Sequence, residues 1–227
     1  MTNCRILAHR GASAYAPENT MAAFQKAADL KADGLEIDIH NTKDGRLVVI
    51  HDDTIDRTSN GSGVVADYEF DELQKFNFNK GMDKEYPETL IPLLEEVLQF
   101  IKDNDMFLNI EVKDVFLKSG GITHVGLQAA EMVRKYDVVD QIIFSSFNHL
   151  SMVEIKKNYP EMKTGLLYVE NLYKPEVYAQ TALADAIHPL FLGVFQDTIT
   201  CCHSKGIKVN PWTVDEPVMI KKMFDIG

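Results

Sequence analysis

The sequence predicts an α/β fold of the (β/α)8, TIM-type barrel class, in which parallel strands alternate with helices. Along the 227 residues, short apolar runs alternate with amphipathic segments seven times, which is typical of a parallel sheet covered by helices. The length fits as well, since such barrels take about 250 residues. Polar and charged residues follow the strands, which is where these barrels place their active sites.

The first strand and helix are read from local signals. Arg5–Ala8 is a short apolar run that ends in His9-Arg10-Gly11 and predicts a buried strand. Asn19 is predicted as the N-cap of a helix that continues to about Lys31, because asparagine oxygens accept from the first backbone N–H groups of a helix. The second strand begins at Gly34.

The second strand is predicted to continue into a hairpin. Glu36 and Asp38 alternate with isoleucines, so both carboxylates lie on one face of the strand, about 6.6 Å apart. Asp44-Gly45 is typical of a two-residue turn, and Leu47–Ile50 is a β-branched return strand. A turn of that length puts His51 directly opposite Asp38. The alternative is that these acids lie on the solvated face of a ribbon and that His51 is an incidental neighbour.

The rest of the chain completes the alternation. Residues Asp52 to about Leu90 are irregular and are predicted as an insertion after the second strand, with a short helix over Asp67–Phe76. The later predicted strands are Phe107–Lys113, Gln141–Ser145, Thr164–Tyr168, Ala186–His188 and Ile207–Val214. The later predicted helices are Pro92–Lys102, Thr123–Tyr136, His149–Tyr159, Pro175 to about Leu183, Gln196–Lys205 and Pro217–Asp225.

The predicted organisation is one catalytic barrel domain over residues 1–227 with residues 52–90 as an insertion subdomain. An eighth strand is expected after the last helix and is missing from this chain. Either the sequence is truncated or the barrel closes with seven strands, and the helix leading into Gly227 favours truncation.

Composition excludes several classes of partner. The chain has 23 basic and 34 acidic residues, a net charge of −11, which argues against nucleic acid and against an anionic membrane surface. An anionic small-molecule substrate would therefore need a local positive centre. Three cysteines without metal-ligand spacing are typical of reduced thiols. With no leader-like start and no apolar run near 18 residues, the sequence predicts a cytoplasmic protein without stable membrane insertion.

The candidate site consists of the polar residues at the strand ends. They are His9 and Arg10, then Glu36 and Asp38 with His51, then Glu111 and Lys113, and finally His188 and Trp212. Three converging carboxylates repel one another, and burying each of them unpaired costs several kcal/mol. A divalent cation resolves this conflict, and an all-oxygen set favours Mg²⁺ or Ca²⁺ over Zn²⁺. For Glu111, the alternative is a structural salt bridge to Lys113 or Arg10.

Two histidines beside a metal, an arginine and a lysine suit phosphodiester cleavage. The cations stabilise charge on the phosphate oxygens, one imidazole removes a proton and the other protonates the leaving alkoxide. The remaining histidines carry weaker signals. His40 is expected at the rim and His188 in a structural role, and the others are expected to be solvated or capping: His124, His149 and His203.

Several short motifs are spaced along the chain: His9-Arg10-Gly11, Ala16-Pro17-Glu18-Asn19-Thr20, Glu36-Ile37-Asp38, Lys43-Asp44-Gly45, Val49-Ile50-His51-Asp52, Asp56-Arg57-Thr58, Glu111-Val112-Lys113 and the run Val209 to Val214. Together they resemble the glycerophosphodiester phosphodiesterase family. The match covers nearly the whole chain, and the absent eighth strand is its one clear departure.

The resemblance implies a fold, a reaction and a set of roles. It implies a barrel with an insertion after the second strand and hydrolysis of glycerophosphodiesters, such as glycerophosphocholine or glycerophosphoethanolamine, to glycerol 3-phosphate and an alcohol. The implied roles are one divalent cation on Glu36, Asp38 and Glu111, an acid–base pair in His9 and His51, phosphate contacts from Arg10 and Lys113, and a pocket wall in Trp212. The alternatives are a related barrel enzyme that cleaves lysophospholipids or inositol phosphodiesters, and a non-catalytic phosphodiester-binding barrel.

Overall fold

The computed structural model describes residues 4–113 and 124–227 of the chain. These residues form two compact units, Ile6–Ile142 and Ile143–Gly227, the latter joined by Cys4 and Arg5. Each unit contains parallel strands that alternate with helices. That residues 1–227 make one catalytic domain with an insertion at 52–90 stays a prediction.

The strands of the first unit bring charged residues into register. They are β1 (Leu7–His9), β2 (Gly34–Asn41), β3 (Leu47–Val49) and β4 (Phe107–Val112). β2 lies between β1 and β4 and is parallel to both, whereas β3 pairs with β2 in the antiparallel sense. His9 is the register partner of Glu36, and Asp38 is the partner of Glu111. The intervening β2 residues are fully buried, so one face of β2 carries the acids and the other packs in the core: Leu35, Ile37 and Ile39.

The α-helices described in the first unit are α1 (Met21–Asp29), α2 (Phe70–Leu73), α3 (Leu94–Asp103) and α4 (Val125–Tyr136). The N-cap of α1 is Thr20, whose Oγ1 accepts from the backbone N–H of Ala23 at 3.3 Å. The prediction of Asn19 as the cap is therefore wrong. Asn19 takes a left-handed φ of +55°, and its side chain bonds elsewhere. The predicted start of α4 at Thr123 lies outside the described residues.

The hairpin between β2 and β3 has a three-residue loop, Lys43-Asp44-Gly45, in place of the predicted two-residue turn. The backbone N–H of Thr42 donates to the carbonyl of Arg46 at 2.9 Å, which closes the loop. The Thr42 hydroxyl donates to Asp44 and accepts from the Arg46 N–H, and Gly45 takes a positive φ of +79°, as a three-residue loop requires.

This longer loop shifts the register of the hairpin by one residue. Ile39 pairs with Val49, and the N–H of Ile50 donates to the carbonyl of Asp38 at 3.0 Å. The prediction that His51 stands directly opposite Asp38 is therefore wrong, because His51 follows the end of β3.

The segment between β3 and α3 has a hydrophobic cluster of its own. Its buried members are Val48, Ile50, Ile55, Val65, Leu73, Phe78, Ile91 and Leu93, with Tyr68, Phe70 and Phe76 packed against them. The predicted helix over Asp67–Phe76 is divided into a single 3₁₀ turn at Val65–Asp67 and the short α2. The division follows from Glu69, which starts α2 through a capping box with Glu72.

The second unit contains β5 (Ile142–Ser146), β6 (Lys163–Tyr168), β7 (Ala186–Pro189) and β8 (Lys208–Val209), paired in that order and parallel. Its helices are α5 (His149–Asn158), α6 (Pro175–Thr181), α7 (Gln196–Ser204) and α8 (Pro217–Ile226). β8 is much shorter than the predicted strand Ile207–Val214. Pro211 has no N–H to donate to the ladder, and only an isolated bridge between Leu190 and Trp212 follows it.

None of the described cysteines, Cys4, Cys201 and Cys202, forms a disulfide. Within the part of the chain that the structure describes, no helix combines the length and apolar character needed to cross a bilayer.

Candidate active site

Three carboxylates from two neighbouring strands meet at one point of the first unit. Glu36, Asp38 and Glu111 each offer an oxygen, and these oxygens all lie within 4.8 Å of one another. The β2–β4 register explains this, since Asp38 and Glu111 are direct partners and Glu36 lies two residues before Asp38 on the same face. Asp38 is 1% exposed. The acid cluster that the sequence predicts is therefore present, with donors suited to a metal ion.

The acids of this cluster perturb one another. Burial, followed by repulsion from Asp38 and Glu111, raises the pKa of Glu36 well above its ordinary value. Burial and the charge of Asp38 raise the pKa of Glu111 to about 7, against the opposing effect of Lys113. Burial also acts to raise the pKa of Asp38, but Lys113, His51 and Asn19 outweigh burial. The net pKa of Asp38 is lowered, and this carboxylate stays ionised. Such mutual repulsion is relieved by a bound cation.

Lys113 supplies one positive charge to this cluster. Its Nζ lies 3.0 Å from Asp38 Oδ1 and also forms an ion pair with Glu111 Oε1. Burial acts to lower the pKa of Lys113, but the two carboxylates outweigh burial and raise it above its ordinary value. The ammonium therefore stays charged. The Glu111–Lys113 salt bridge considered from the sequence therefore exists, together with the three-carboxylate cluster.

Arg10 approaches the acids through both its backbone and its side chain. It takes a left-handed φ of +59° immediately after β1, and its N–H donates to the carbonyl and to Oε2 of Glu36 at 2.9 and 3.0 Å. Its guanidinium Nη1 donates to Glu18 Oε1 at 3.0 Å, and its Nε lies 3.7 Å from Asp38 Oδ2.

Several buried polar atoms near the acids are incompletely bonded. Among the described residues, Arg10 Nε, Asn19 Oδ1 and Asn109 Oδ1 are buried without a hydrogen-bond partner. Asn109 is the register partner of Glu36 on β4. Buried polar groups in proteins are almost always paired, so the unpaired oxygens of Asn19 and Asn109 leave bonding capacity for an ion or a substrate at this place. The donor set, which consists of carboxylate and amide oxygens, fits a hard divalent cation.

Both predicted acid–base histidines belong to the first unit. His9 ends β1, and its Nε2 lies 3.8 Å from Glu36 Oε2, with 38% of the side chain exposed. His51 Nδ1 lies 2.6 Å from Asp52 Oδ1. The structure therefore places an imidazole at the end of β1 and another just after β3, and their catalytic roles stay predictions.

His40 is buried rather than at the rim, contrary to the prediction. Burial lowers its pKa, so the ring is neutral. Its Nε2 lies 3.1 Å from the backbone carbonyl of His51. Because a carbonyl only accepts, Nε2 carries the hydrogen and donates to it. His40 thus supports the backbone of His51. The sequence signal for its burial was its position two residues after Asp38, on the same face of β2.

Four polar residues around the acids were not singled out from the sequence as site residues: Glu18, Asn19, Asp52 and Arg57. Asn19 Nδ2 donates to Asp38 Oδ2 at 2.9 Å. Arg57 donates two hydrogen bonds to Glu18, both at 2.7 Å, and two to Asp52, at 2.7 and 3.0 Å. Hydrogen bonds from Arg57 are the main reason why the pKa of Asp52 lies well below its ordinary value. All four residues lie inside the spaced motifs that resemble the family, and this was the signal in the sequence that could have identified them as site residues.

Trp212 and His188 lie in the second unit. Trp212 Nε1 donates to the carbonyl of His188 at 2.8 Å, and its ring meets Phe147 edge-on with centroids 5.6 Å apart. His188 is buried and bonded to Asn210, and burial lowers its pKa to about 4, as expected for a structural histidine. The predicted role of Trp212 as a pocket wall stays a prediction.

A sequence model of the glycerophosphoryl diester phosphodiesterase family matches residues 9–227. The chain belongs to this family. The family match begins at His9, the first of the candidate catalytic residues, and confirms the resemblance inferred from the spaced motifs.

Individual members of the family resemble the chain over nearly all of its length. The glycerophosphodiester phosphodiesterase of Caldanaerobacter subterraneus is 39% identical over 222 residues, which are 98% of this chain and 90% of that relative. A phosphodiesterase from Oleispira antarctica, solved with the product sn-glycerol-3-phosphate, is 26% identical and has a TM-score of 0.84, with 99% of this chain and 90% of that chain covered.

A crystal structure from Silicibacter pomeroyi supports the fold. It is 22% identical and has a TM-score of 0.85, with 98% of this chain and 87% of that chain covered. These comparisons confirm the predicted α/β fold class of the TIM-barrel type and the prediction of an enzyme of the glycerophosphodiester phosphodiesterase family.

Proposed function

We propose that this chain is a divalent-metal-dependent hydrolase of glycerophosphodiesters such as glycerophosphocholine and glycerophosphoethanolamine. Its products would be glycerol 3-phosphate and the free alcohol. The main observation that supports this proposal is the set of three carboxylates from β2 and β4 whose oxygens lie within 4.8 Å of one another. The product found with the relative from Oleispira antarctica supports the same reaction.

Glu36, Asp38 and Glu111 would hold one Mg²⁺ or Ca²⁺ ion, since these hard cations prefer oxygen ligands. When bound, the ion would withdraw charge from the phosphate oxygens. The raised pKa values of Glu36 and Glu111 support this assignment, because a cation replaces the protons that the crowded carboxylates otherwise retain.

The chain's own side chains would bind the phosphodiester and move the protons. Arg10 and Lys113 would contact the phosphate oxygens. His9 would remove a proton from the nucleophile, and His51 would protonate the leaving alkoxide. The opposite assignment of the two histidines is the alternative, and variants at each position distinguish them. The nucleophile is either water or the substrate's own glycerol hydroxyl, and the second route passes through a cyclic phosphate.

The primary experiment measures glycerol 3-phosphate released from glycerophosphocholine before and after EDTA treatment. We expect EDTA to abolish release and added Mg²⁺ or Ca²⁺ to restore it. Full activity in EDTA would remove the metal from the proposal, and no release under any condition would remove glycerophosphocholine as a substrate.

The route of attack is tested by following turnover with ³¹P NMR. A transient cyclic glycerol phosphate shows attack by the substrate hydroxyl. Direct formation of the monoester, with ¹⁸O from labelled water incorporated in the first step, shows attack by water.

Lysophospholipids are a second candidate substrate class. In the second unit, large apolar side chains are exposed in the segments that follow β5, β6 and β7: Phe147, Val169, Leu172, Leu192 and Phe195. Substrates of β/α enzymes bind at the carboxyl ends of the strands, and such residues suit an acyl chain. Comparing kcat/KM for lysophosphatidylcholine and glycerophosphocholine decides between the two classes.

We also propose a cytoplasmic location, because cysteines that form no disulfide, such as Cys201 and Cys202, are typical of a reducing compartment. Fractionation of expressing cells with a periplasmic or secreted marker tests this assignment.

A further inference from the structure

We propose that Asp52, Arg57 and Glu18 form a positioning bridge that orients His51 to give its proton to the leaving alcohol and holds Arg10 in a matching position. This inference rests on the proposed function. It assigns the three residues no contact with the substrate, and they act only through His51 and Arg10.

Arg57 is the centre of the bridge. Its guanidinium donates in pairs to two carboxylates, at 2.7 and 2.7 Å to Glu18 and at 2.7 and 3.0 Å to Asp52. Glu18 precedes α1, and Arg57 follows β3, so this arginine joins segments 39 residues apart. A planar guanidinium can hold two carboxylates in fixed orientations, whereas a lysine ammonium cannot.

At one end of the bridge, Asp52 selects the tautomer of His51. Arg57 keeps the pKa of Asp52 well below its ordinary range, so this carboxylate is ionised and only accepts. His51 Nδ1, 2.6 Å away, must therefore carry a hydrogen. This leaves Nε2 as the nitrogen that takes up the second proton of the ring and passes it to the leaving alkoxide, after which the ring is the neutral Nδ1–H tautomer. The carbonyl of His51 is held separately by His40. Carboxylates that orient a catalytic imidazole in this way contribute strongly to the rate.

At the other end, Glu18 fixes Arg10. Glu18 Oε1 accepts from Arg10 Nη1 at 3.0 Å and from Arg57 at 2.7 Å. Despite the opposing effect of burial, these two guanidinium groups lower the pKa of Glu18 and keep it ionised. The bridge therefore holds the Nη1 end of the Arg10 guanidinium, whose Nε lies 3.7 Å from Asp38 Oδ2.

The chain offers a matched control for an ordinary ion pair. Arg46 contacts a single carboxylate, Glu95, at 2.9 Å, and its side chain is 43% exposed against 47% for Arg57. Exposed ion pairs contribute little to stability. Arg46→Ala therefore reports the effect of losing a surface arginine from the same unit.

The test compares two phosphodiesters of glycerol phosphate that differ in leaving group. Choline leaves as an alkoxide that needs a proton, whereas 4-nitrophenolate leaves without one. We expect Asp52→Asn to lower kcat about 100-fold on glycerophosphocholine and less than about 10-fold on the 4-nitrophenyl ester. Arg57→Ala should lower kcat on glycerophosphocholine and raise KM for both esters through Arg10. Arg57→Lys should not restore either parameter, and Arg46→Ala should match the wild type.

A spectroscopic readout separates this inference from the proposed function. At a pH where the His51 ring is neutral, its ¹⁵N chemical shifts should show the Nδ1–H tautomer in the wild type and its loss in Asp52→Asn, whether or not glycerophosphocholine is turned over. A wild type that releases no glycerol 3-phosphate but shows this change contradicts only the reaction. The bridge is overturned if Arg57→Ala and Arg46→Ala behave alike, if the two leaving groups are affected equally, or if the tautomer does not depend on Asp52.

Discussion

The two units of this protein share a β/α pattern but differ in the side chains at the ends of their strands. In the first unit, β1 ends in His9 and β4 is followed by Lys113, and these two side chains contact the acids Glu36 and Asp38 of β2. In the second unit, the ends of β5, β6 and β7 are buried and uncharged: Ser145, Ser146, Tyr168, His188 and Pro189. The strand–helix repeat supplies the scaffold, and the residues at the strand ends decide which part of it carries chemistry.

The causes of the pKa shifts also differ between the acid cluster of the first unit and the buried His188 of the second unit. In the first unit, the pKa values of Glu36 and Glu111 depend on neighbouring charges in addition to burial. In the second unit, the pKa of His188 is lowered by burial alone. Shifts that involve several converging charges are typical of functional sites, whereas a shift from burial alone is expected of any packed titratable residue.

Removing one of the three acids should have the largest effect. Glu111→Gln keeps the volume of the side chain but removes a charged ligand, so kcat/KM for glycerophosphocholine should fall by about 1000-fold or more. Titration calorimetry should show weaker binding of Mg²⁺ or Ca²⁺. Asp185→Asn is the control, since Asp185 pairs with Lys156 in the second unit, and equal losses in both variants would contradict the assignment.

Replacing the two classes of histidine should separate catalysis from packing. His51→Ala should reduce kcat by about 10²–10⁴-fold, the usual contribution of a general acid or base, with little change in melting temperature. His149→Ala should instead lower stability, because this ring bonds the Tyr178 hydroxyl and the Leu167 carbonyl, both at 2.8 Å. A His51→Ala variant with near-normal kcat would rule out its proton transfer.

The stability of the chelated protein should depend on pH through the acid cluster. Folding raises the pKa of Glu111 from 4.5 to about 7 and also raises that of Glu36. The folded state then binds protons that the unfolded chain releases. The stabilising contribution of these two carboxyl groups is therefore fully present below about pH 4.5 and is lost as the pH rises through about 7. Melting temperatures in EDTA should decrease over this range.

Adding Mg²⁺ or Ca²⁺ should reverse this trend, because the ion competes better as the protons leave. A melting temperature in EDTA that rises steadily over the same range would contradict the shifts. The double variant Glu36→Gln, Glu111→Gln should abolish both the pH effect and the ion effect.

The smallest effect is expected at Trp212. Trp212→Phe keeps an aromatic ring beside Phe147 but loses the hydrogen bond from Nε1 to the His188 carbonyl, which contributes about 1 kcal/mol to stability. We expect kcat to be unchanged and KM for glycerophosphocholine to rise by only a few-fold. A loss of kcat comparable to that of His51→Ala would place part of the chemistry in the second unit.

The acid cluster was predictable because strand geometry is local and regular. The alternation of Glu36 and Asp38 with isoleucines defines one face of β2, and parallel neighbours with a polar residue at the same height meet there. The positions of the strands followed from the alternation of apolar and amphipathic segments in the same way.

Other features depend on contacts that no local pattern contains. The hairpin loop has three residues because the side chain of Thr42 bonds both Asp44 and Arg46, and this single extra residue moved His51 out of the predicted pair. Arg57 donates hydrogen bonds to Glu18, which lies 39 residues earlier in the chain. Asn19 looked like a helix cap, but a left-handed backbone turns its amide toward Asp38. Residue propensities for turns and helix caps depend on the local sequence alone, so they could not predict these contacts.

The left-handed backbone of Arg10 has a consequence for substitution at this position. A φ of +59° costs a non-glycine residue about 1–2 kcal/mol, so glycine at this position would relax the main chain and preserve the N–H that reaches Glu36. The arginine side chain offsets this cost in part, because its guanidinium pairs with Glu18 at 3.0 Å and lies 3.7 Å from Asp38 Oδ2. Glycine would therefore remove the positive charge that Arg10 places beside the acids.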